Sequence, residues 1–234
     1  MPLQKIFSRS PVVARVAPFV VFVLLTAAQG QFGPASAYWF YFAKTLVGLW
    51  LILEMRPWVA EMRWAFSGEA VAVGIAVFVV WVGISGEWTT QHSLGLKLGL
   101  AHPPASPAPG WNPNEQYGAG SALAWLFIIT RILGSTFIVP PLEEVFYRSF
   151  LYRYIAGRDF LAVPLNRFLP LPFWATVAVF GFAHNEWLAG IFCGAAFQWL
   201  VLRKGRLGDA MTAHAITNFL LGVWIVGRGA WQFW

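Results

Sequence analysis

Charge is what this sequence has least of. Only 11% of its 234 residues are Asp, Glu, Lys or Arg, while 58% are hydrophobic. A soluble domain carries about 25% charged residues. So few cannot clothe a water-exposed surface, which excludes a soluble fold and implies an integral protein of the lipid bilayer. Cysteine is almost missing: Cys193 stands alone, which excludes an intrachain disulfide. It lies among small residues in AGIFCGAAF, with no charged neighbour to activate it, and reads as a buried inert thiol. Alternating apolar and polar runs are lacking, which argues against a membrane β-barrel. There is no internal repeat, which argues against an inverted-repeat transporter. The net charge of +6 would suggest nucleic acid in a soluble protein. Here the basic residues cluster in short segments between apolar runs, as in loops retained in the cytoplasm, so no nucleic-acid partner is expected.

What is present is a series of continuous apolar stretches, each near the roughly 20 residues a spanning helix needs. They fall at about 14–30, 36–53, 69–85, 121–139, 141–156, 171–184, 186–202 and 209–227. The expected fold is all-α, a polytopic transmembrane bundle of about eight helical segments enclosing an intramembrane catalytic cavity. Residues 1–120 would supply the first helices and a Pro/Gly-rich extracytoplasmic loop (86–120), and residues 121–234 the charged motifs, in one membrane domain. The first stretch ends in LLTAAQG and has the look of a signal peptide, but the spans that follow favour an uncleaved first helix. Lys5 and Arg9 place the N-terminus in the cytoplasm, expected to be that of a prokaryote's cytoplasmic membrane. EMRPWVAEMRW (54–64), RDFLAVPLNRF (158–168) and RKGR (203–206) return there. These anchors require 121–156 to cross an odd number of times, although Pro140-Pro141 divides it into two helix-length pieces. A single broken span, or one piece in the interface, satisfies the count.

Ionisable groups inside such stretches are rare and mark function. Glu143, Glu144 and Arg148 follow Pro140-Pro141, His184 ends FWATVAVFGFAH, and His214 and Asn218 lie in AMTAHAITNFLLG. In an α-helix, residues four apart share a face. Glu144 therefore stacks on Arg148 as a supporting ion pair, and Glu143, turned about 100° away, is left for proton transfer. His214 and Asn218 also share a face and can both donate to one oxygen. Peptide hydrolysis needs such parts: a base for water, donors for the tetrahedral oxyanion and an acid for the leaving amine.

EEVFYR (143–148), FGFAH (180–184) and HAITN (214–218) resemble, in order, the Glu-Glu-x-x-x-Arg, Phe-x-x-x-His and His-x-x-x-Asn/Asp motifs of the CAAX protease and bacteriocin-processing family, that of the type II CAAX prenyl endopeptidases. The resemblance covers about 138–222. It implies an intramembrane endopeptidase cutting near the C-terminus of a prenylated or otherwise membrane-anchored protein or peptide. Glu143 and His184 would activate water, and His214 and Asn218 would hold the oxyanion. The layout also resembles the CAAX-protease-related branch found with exosortase systems. Family members are described both as metalloproteases and as metal-free glutamate proteases. One glutamate and two histidines could bind zinc, but no His-Glu-x-x-His pair is present and Asn218 suits an amide donor, so no cofactor is expected. Ser149 departs from the glycine that many members carry after the arginine.

Each residue has a plainer use. Glu143 can sit at a helix start, His184 can cap its helix, and His214 and Asn218 can bond between helices. A proton-linked transporter or a peptide-binding scaffold would use the same acids and imidazoles. Asn218, which cannot titrate, discriminates between these and a protease. His92 and His102 fall in the polar loop and read as solvated. Lys44 and Arg131, inside apolar runs, are expected to snorkel or to pair internally. The fourteen tryptophans suit interfacial belts.

Overall fold

The computed structural model describes residues 2–102 and 110–234. Among these every regular element is helical. The helices are α1 (Pro2–Arg9), α2 (Pro11–Ala27), α3 (Ser36–Met55), α4 (Gly68–Ile84), α5 (Gln91–Lys97), α6 (Pro113–Tyr117), α7 (Ala122–Ala156), α8 (Pro170–Phe182), α9 (Trp187–Lys204) and α10 (Gly208–Arg228). Their starts follow local chemistry. Ser10, Ser67 and Ser121 each cap a helix by accepting the backbone N–H three residues on, and Pro11 takes a first-turn position that needs no N–H. Gly205 ends α9 with φ of 65°, a left-handed turn that favours glycine.

The expected spans are met with two corrections. The fourth and fifth form one helix, α7, of 35 residues. Pro140-Pro141 does not break it. Prolines deprive the preceding turn of donors and crowd its carbonyls, and the chain absorbs this by widening to a π turn at Gly134–Ile138, followed by another at Val145–Leu151. Secondly, the loop 86–120 carries α5 and α6; its part 103–109 lies outside the described residues. Ser36–Trp58, α7 and α10 are long and apolar enough to cross a membrane, and α2, α4 and α8 are shorter apolar helices. Lipid-suited side chains such as Leu46, Leu49, Trp50 and Leu53 lie exposed on α3.

The chain forms two compact units, each drawing on segments from both sides of residue 120. The first comprises Met1–Met62, Pro109–Phe146 and Asn218–Trp234. Here α2 and α3 run antiparallel, with Lys44 of α3 bonded to Thr26 of α2. α3 runs parallel to α7: Gly134 packs against Tyr41 and Thr45, and Gly48 against Ile138. A β-carbon on Gly134 would lie 2.8 Å from the Thr45 hydroxyl, so glycine sets this close approach. Arg15, 3% exposed, makes a two-pronged ion pair with Glu61, both contacts 2.9 Å. Breaking such a buried pair costs about 3–5 kcal/mol. Tyr38, Tyr41, Trp111 and Phe127 form a buried aromatic cluster. Trp111 thus serves a core rather than an interfacial belt.

The second unit comprises Arg63–Ala108 and Tyr147–Thr217. α8 and α9 cross where Gly181 meets Gly190: a β-carbon on Gly190 would lie 2.9 Å from the Gly181 carbonyl oxygen. The start of α10 is tied to α4 and the chain before it. The Ser67 hydroxyl donates to the fully buried Asp209 at 2.6 Å, Thr212 donates to the Ala65 carbonyl and Thr217 to that of Gly74, each at 2.8 Å. The exposed Glu69 meets Arg203 and Lys204, contacts of a kind that contribute little.

Candidate active site

The second unit gathers one member of each motif around a single ring. Phe180 is completely buried. The Arg148 guanidinium carbon lies 4.2 Å from its centroid, the His184 ring 4.6 Å away and tilted, and the His214 ring 6.3 Å away and edge-on. A guanidinium over a desolvated aromatic face gains about 2 kcal/mol. Arg148 also donates to the Gly194 carbonyl at 3.3 Å, and His214 stacks on Phe197 at 5.0 Å. Ser149, the departure from glycine, accepts from Arg153 at 2.7 Å and so has a structural partner of its own.

His184 ends α8 and folds back on it. Its Nδ1 lies 2.7 Å from the Phe180 carbonyl oxygen, one turn earlier. A carbonyl only accepts, so Nδ1 carries the proton, and Nε2 keeps the lone pair that a base needs. Trp81 meets the imidazole edge-on at 5.7 Å. Phe180 therefore contributes twice, with its ring to Arg148 and both histidines and with its carbonyl to the tautomer of His184. The turn beyond is braced by Gln91, which donates to the carbonyls of Phe182 and His184, and by Thr89, which donates to Glu186 at 3.0 Å. Burial pushes the Glu186 carboxyl above the ordinary glutamate range, and the Thr89 hydrogen bond pulls it back.

The first unit holds Glu143, Glu144 and Asn218. Glu144 is fully buried and Glu143 only partly, so the adjacent carboxylates differ in access. A π turn begins at Val145, directly after the two glutamates. That turn separates Glu144, at its start, from Arg148, within it.

Asn218 answers a defect in α7. In a regular helix the Ser135 carbonyl would accept from Val139. In the π turn the Val139 N–H goes to Gly134 instead, and residue 140, next in line, is a proline without an N–H. Ser135 is left with an orphan carbonyl, and the Asn218 side-chain amide donates to it at 2.8 Å. Burying that carbonyl unsatisfied would cost about 1–3 kcal/mol. The bond engages one N–H of the carboxamide and leaves its second N–H for another acceptor.

Residues 123–220 match the model of the family described as Type II CAAX prenyl endopeptidase Rce1-like. That stretch, less than half of the chain, is similar to the Rce1-like family. No curated protein and no solved structure matches the chain. The matched stretch holds all six motif residues, and the family it resembles is one of membrane-embedded CAAX-protease hydrolases. A zinc ion would need three or four converging donors. Among the described residues no group of three or more His, Cys, Asp or Glu is gathered that could hold a metal. A cavity of about 520 Å³ in the first unit is lined by Tyr38, Trp111, Glu115 and Trp234 among others, and by none of the motif residues.

Several supporting residues escaped the sequence reading. Asp209 and Ser67 are 142 positions apart, and nothing local links them. Ser135 acts through its backbone. Only Pro140-Pro141, just before Glu143 and Glu144, hinted that α7 is irregular.

Proposed function

We propose that this chain is an intramembrane endopeptidase that cleaves near the C-terminus of a prenylated or otherwise anchored protein or peptide. Glu143 and the Nε2 of His184 take a proton from water, and the resulting hydroxide adds to the scissile carbonyl. His214 and Asn218 donate to the oxyanion, each donor being worth several kcal/mol in a dry site. Collapse breaks the C–N bond, and the proton taken from water passes to the leaving amine. Arg148 and Glu144 support the helix that carries Glu143. The membrane is the cytoplasmic one, with the N-terminus inside.

The observation that supports this reading best is the convergence of Arg148, His184 and His214 on Phe180, with the tautomer of His184 set for a base. A proton relay has no need of the carboxamide at Asn218. The test is cleavage of anchored peptides by purified protein, with and without a zinc chelator. Glu143→Ala and Asn218→Ala should each lower kcat by about a hundredfold or more, and chelator should change nothing. Cleavage that survives both substitutions would overturn the assignment. Loss with chelator, restored by zinc, would replace it with a metalloprotease.

A further inference from the structure

The cavity of about 520 Å³ in the first unit has no part in the chemistry above. It lies between the turn after α2, the start of α3, the stretch 110–116 and Trp234. Its size falls within the roughly 300–1,000 Å³ of small-molecule sites. With the N-terminus inside, α2 carries the chain across once, so the cavity faces the side opposite the cytoplasm. Its walls are aromatic. Tyr38 and Trp111 are buried, with ring centroids 4.6 Å apart. The Trp111 indole N–H donates to the Ala37 carbonyl at 3.3 Å, which fixes the ring. Trp234 stands nearly perpendicular to it, at 85° and 5.5 Å. Trp234 is only partly buried, so its ring keeps surface for a ligand. The polar groups come from one short stretch. The buried Asn112 accepts from the Asn114 N–H at 3.1 Å and donates to the Glu115 carboxylate at 2.9 Å. Asn112 thus fixes Glu115 at the cavity's edge. A carboxylate has about four acceptor positions, so further donors can be met there. Gln116 adds the donors and acceptor of an amide.

Charge narrows the ligand. A small cation suits indole rings, but the Arg131 guanidinium already lies 4.4 Å from the Trp111 centroid and 5.2 Å from that of Trp234. A second cation there would meet like charge, and an anion would meet Glu115. A neutral molecule with one apolar face and several hydroxyls meets neither penalty. A pyranose sugar has that form. Its ring C–H bonds lie against an indole, and its hydroxyls donate to a carboxylate and exchange bonds with an amide.

We propose that this cavity binds a pyranose sugar, carried by a soluble oligosaccharide or by a glycolipid headgroup. Trp234 stacks on the sugar's C–H face, and Glu115 accepts from its hydroxyls. No motif residue lines the cavity, so the site stands apart from the proposed proteolysis. The test is calorimetric binding of maltose, lactose and chitobiose, each alone, to the purified full chain in phosphatidylcholine nanodiscs free of glycoside detergent. Wild type should bind at least one of them with Kd of about 1 mM or tighter. Glu115→Ala and Trp234→Leu should each weaken that binding about tenfold. Glu115→Gln, which keeps the shape and removes the charge, should weaken it about threefold and serves if Glu115→Ala unfolds at a lower temperature. Trp125→Leu, which trims an exposed indole on α7, should bind like wild type. Displacement of the sugar by glucosyl diacylglycerol doped into the discs assigns the pyranose to a lipid headgroup, and no displacement assigns it to a soluble glycan. Either result upholds the site. Binding of none of the three sugars by wild type overturns the proposal, as does binding that survives both Glu115→Ala and Trp234→Leu. Tighter binding of tetramethylammonium than of any sugar also overturns it, since the site would then hold a cation.

Discussion

At the scale of single residues, Phe180 does more than its apolar character suggests. Its ring is a common wall for the Arg148 guanidinium and both imidazoles, and its carbonyl orients His184. Phe180→Leu keeps most of the volume and the backbone bond and removes the π face. It should cost about 1–3 kcal/mol in unfolding free energy and lower kcat by about tenfold, with KM little changed. Phe173→Leu trims the same helix where its ring contacts are Phe168 and Trp174, and it should leave kcat near wild type. Thermal unfolding in detergent and steady-state cleavage separate the two. Equal kcat values for both variants would mean that Phe180 is ordinary packing. The motif residues themselves were legible because charge is so scarce in this chain that each buried charge stands out. The partners that orient them were not, because three of those are backbone carbonyls, at Phe180, Gly194 and Ser135, which no side-chain pattern announces.

At the scale of elements, α7 decides how the carboxylates are presented. Read as an ordinary α-helix, its sequence breaks at Pro140-Pro141. The structure instead keeps the helix and moves the irregularity into π turns on either side of the two glutamates. Prolines visibly demand some irregularity, but which form it takes depends on what meets the freed carbonyl, here Asn218, 83 residues further along. A local reading has no access to that. Pro140→Ala restores an N–H at the one position that could serve Ser135 from within the helix. The new donor competes with Asn218, whose carboxamide then loses its fixed orientation. The expected outcome is a roughly tenfold lower kcat with nearly unchanged KM and a thermal midpoint at or above wild type, since an internal hydrogen bond is worth about 1 kcal/mol. Asn218→Ala combined with Pro140→Ala should be no slower than Asn218→Ala alone. An additive loss in the double variant would mean that the proline acts by some route other than Asn218.

At the scale of the whole molecule, the open question is parity, and α7 bears on it. Thirty-five residues of helix measure about 50 Å, longer than the roughly 30 Å hydrocarbon core, so one continuous helix is long enough to cross once with an overhang or a tilt. One crossing gives the odd count that the basic segments at 158–168 and 203–206 require. The fold class was therefore readable from composition and charge, while the number of spans was not, because two prolines look the same in sequence whether they split a helix or only widen it. The sole cysteine makes this testable. Cys193 is buried, 3% exposed, so Cys193→Ala gives a cysteine-free background. Single cysteines can then be placed at Ser8, Lys97 and Asp159, all exposed positions outside the long apolar helices. With the N-terminus in the cytoplasm, α2, α3 and α4 carry the chain outside by residue 97, and α7 returns it by residue 159. A membrane-impermeant maleimide should label Lys97→Cys in intact cells, and Ser8→Cys and Asp159→Cys only after permeabilisation. If positions 97 and 159 react from the same side, α7 does not cross as one span. If all three reverse together, the single crossing stands and the N-terminus lies outside.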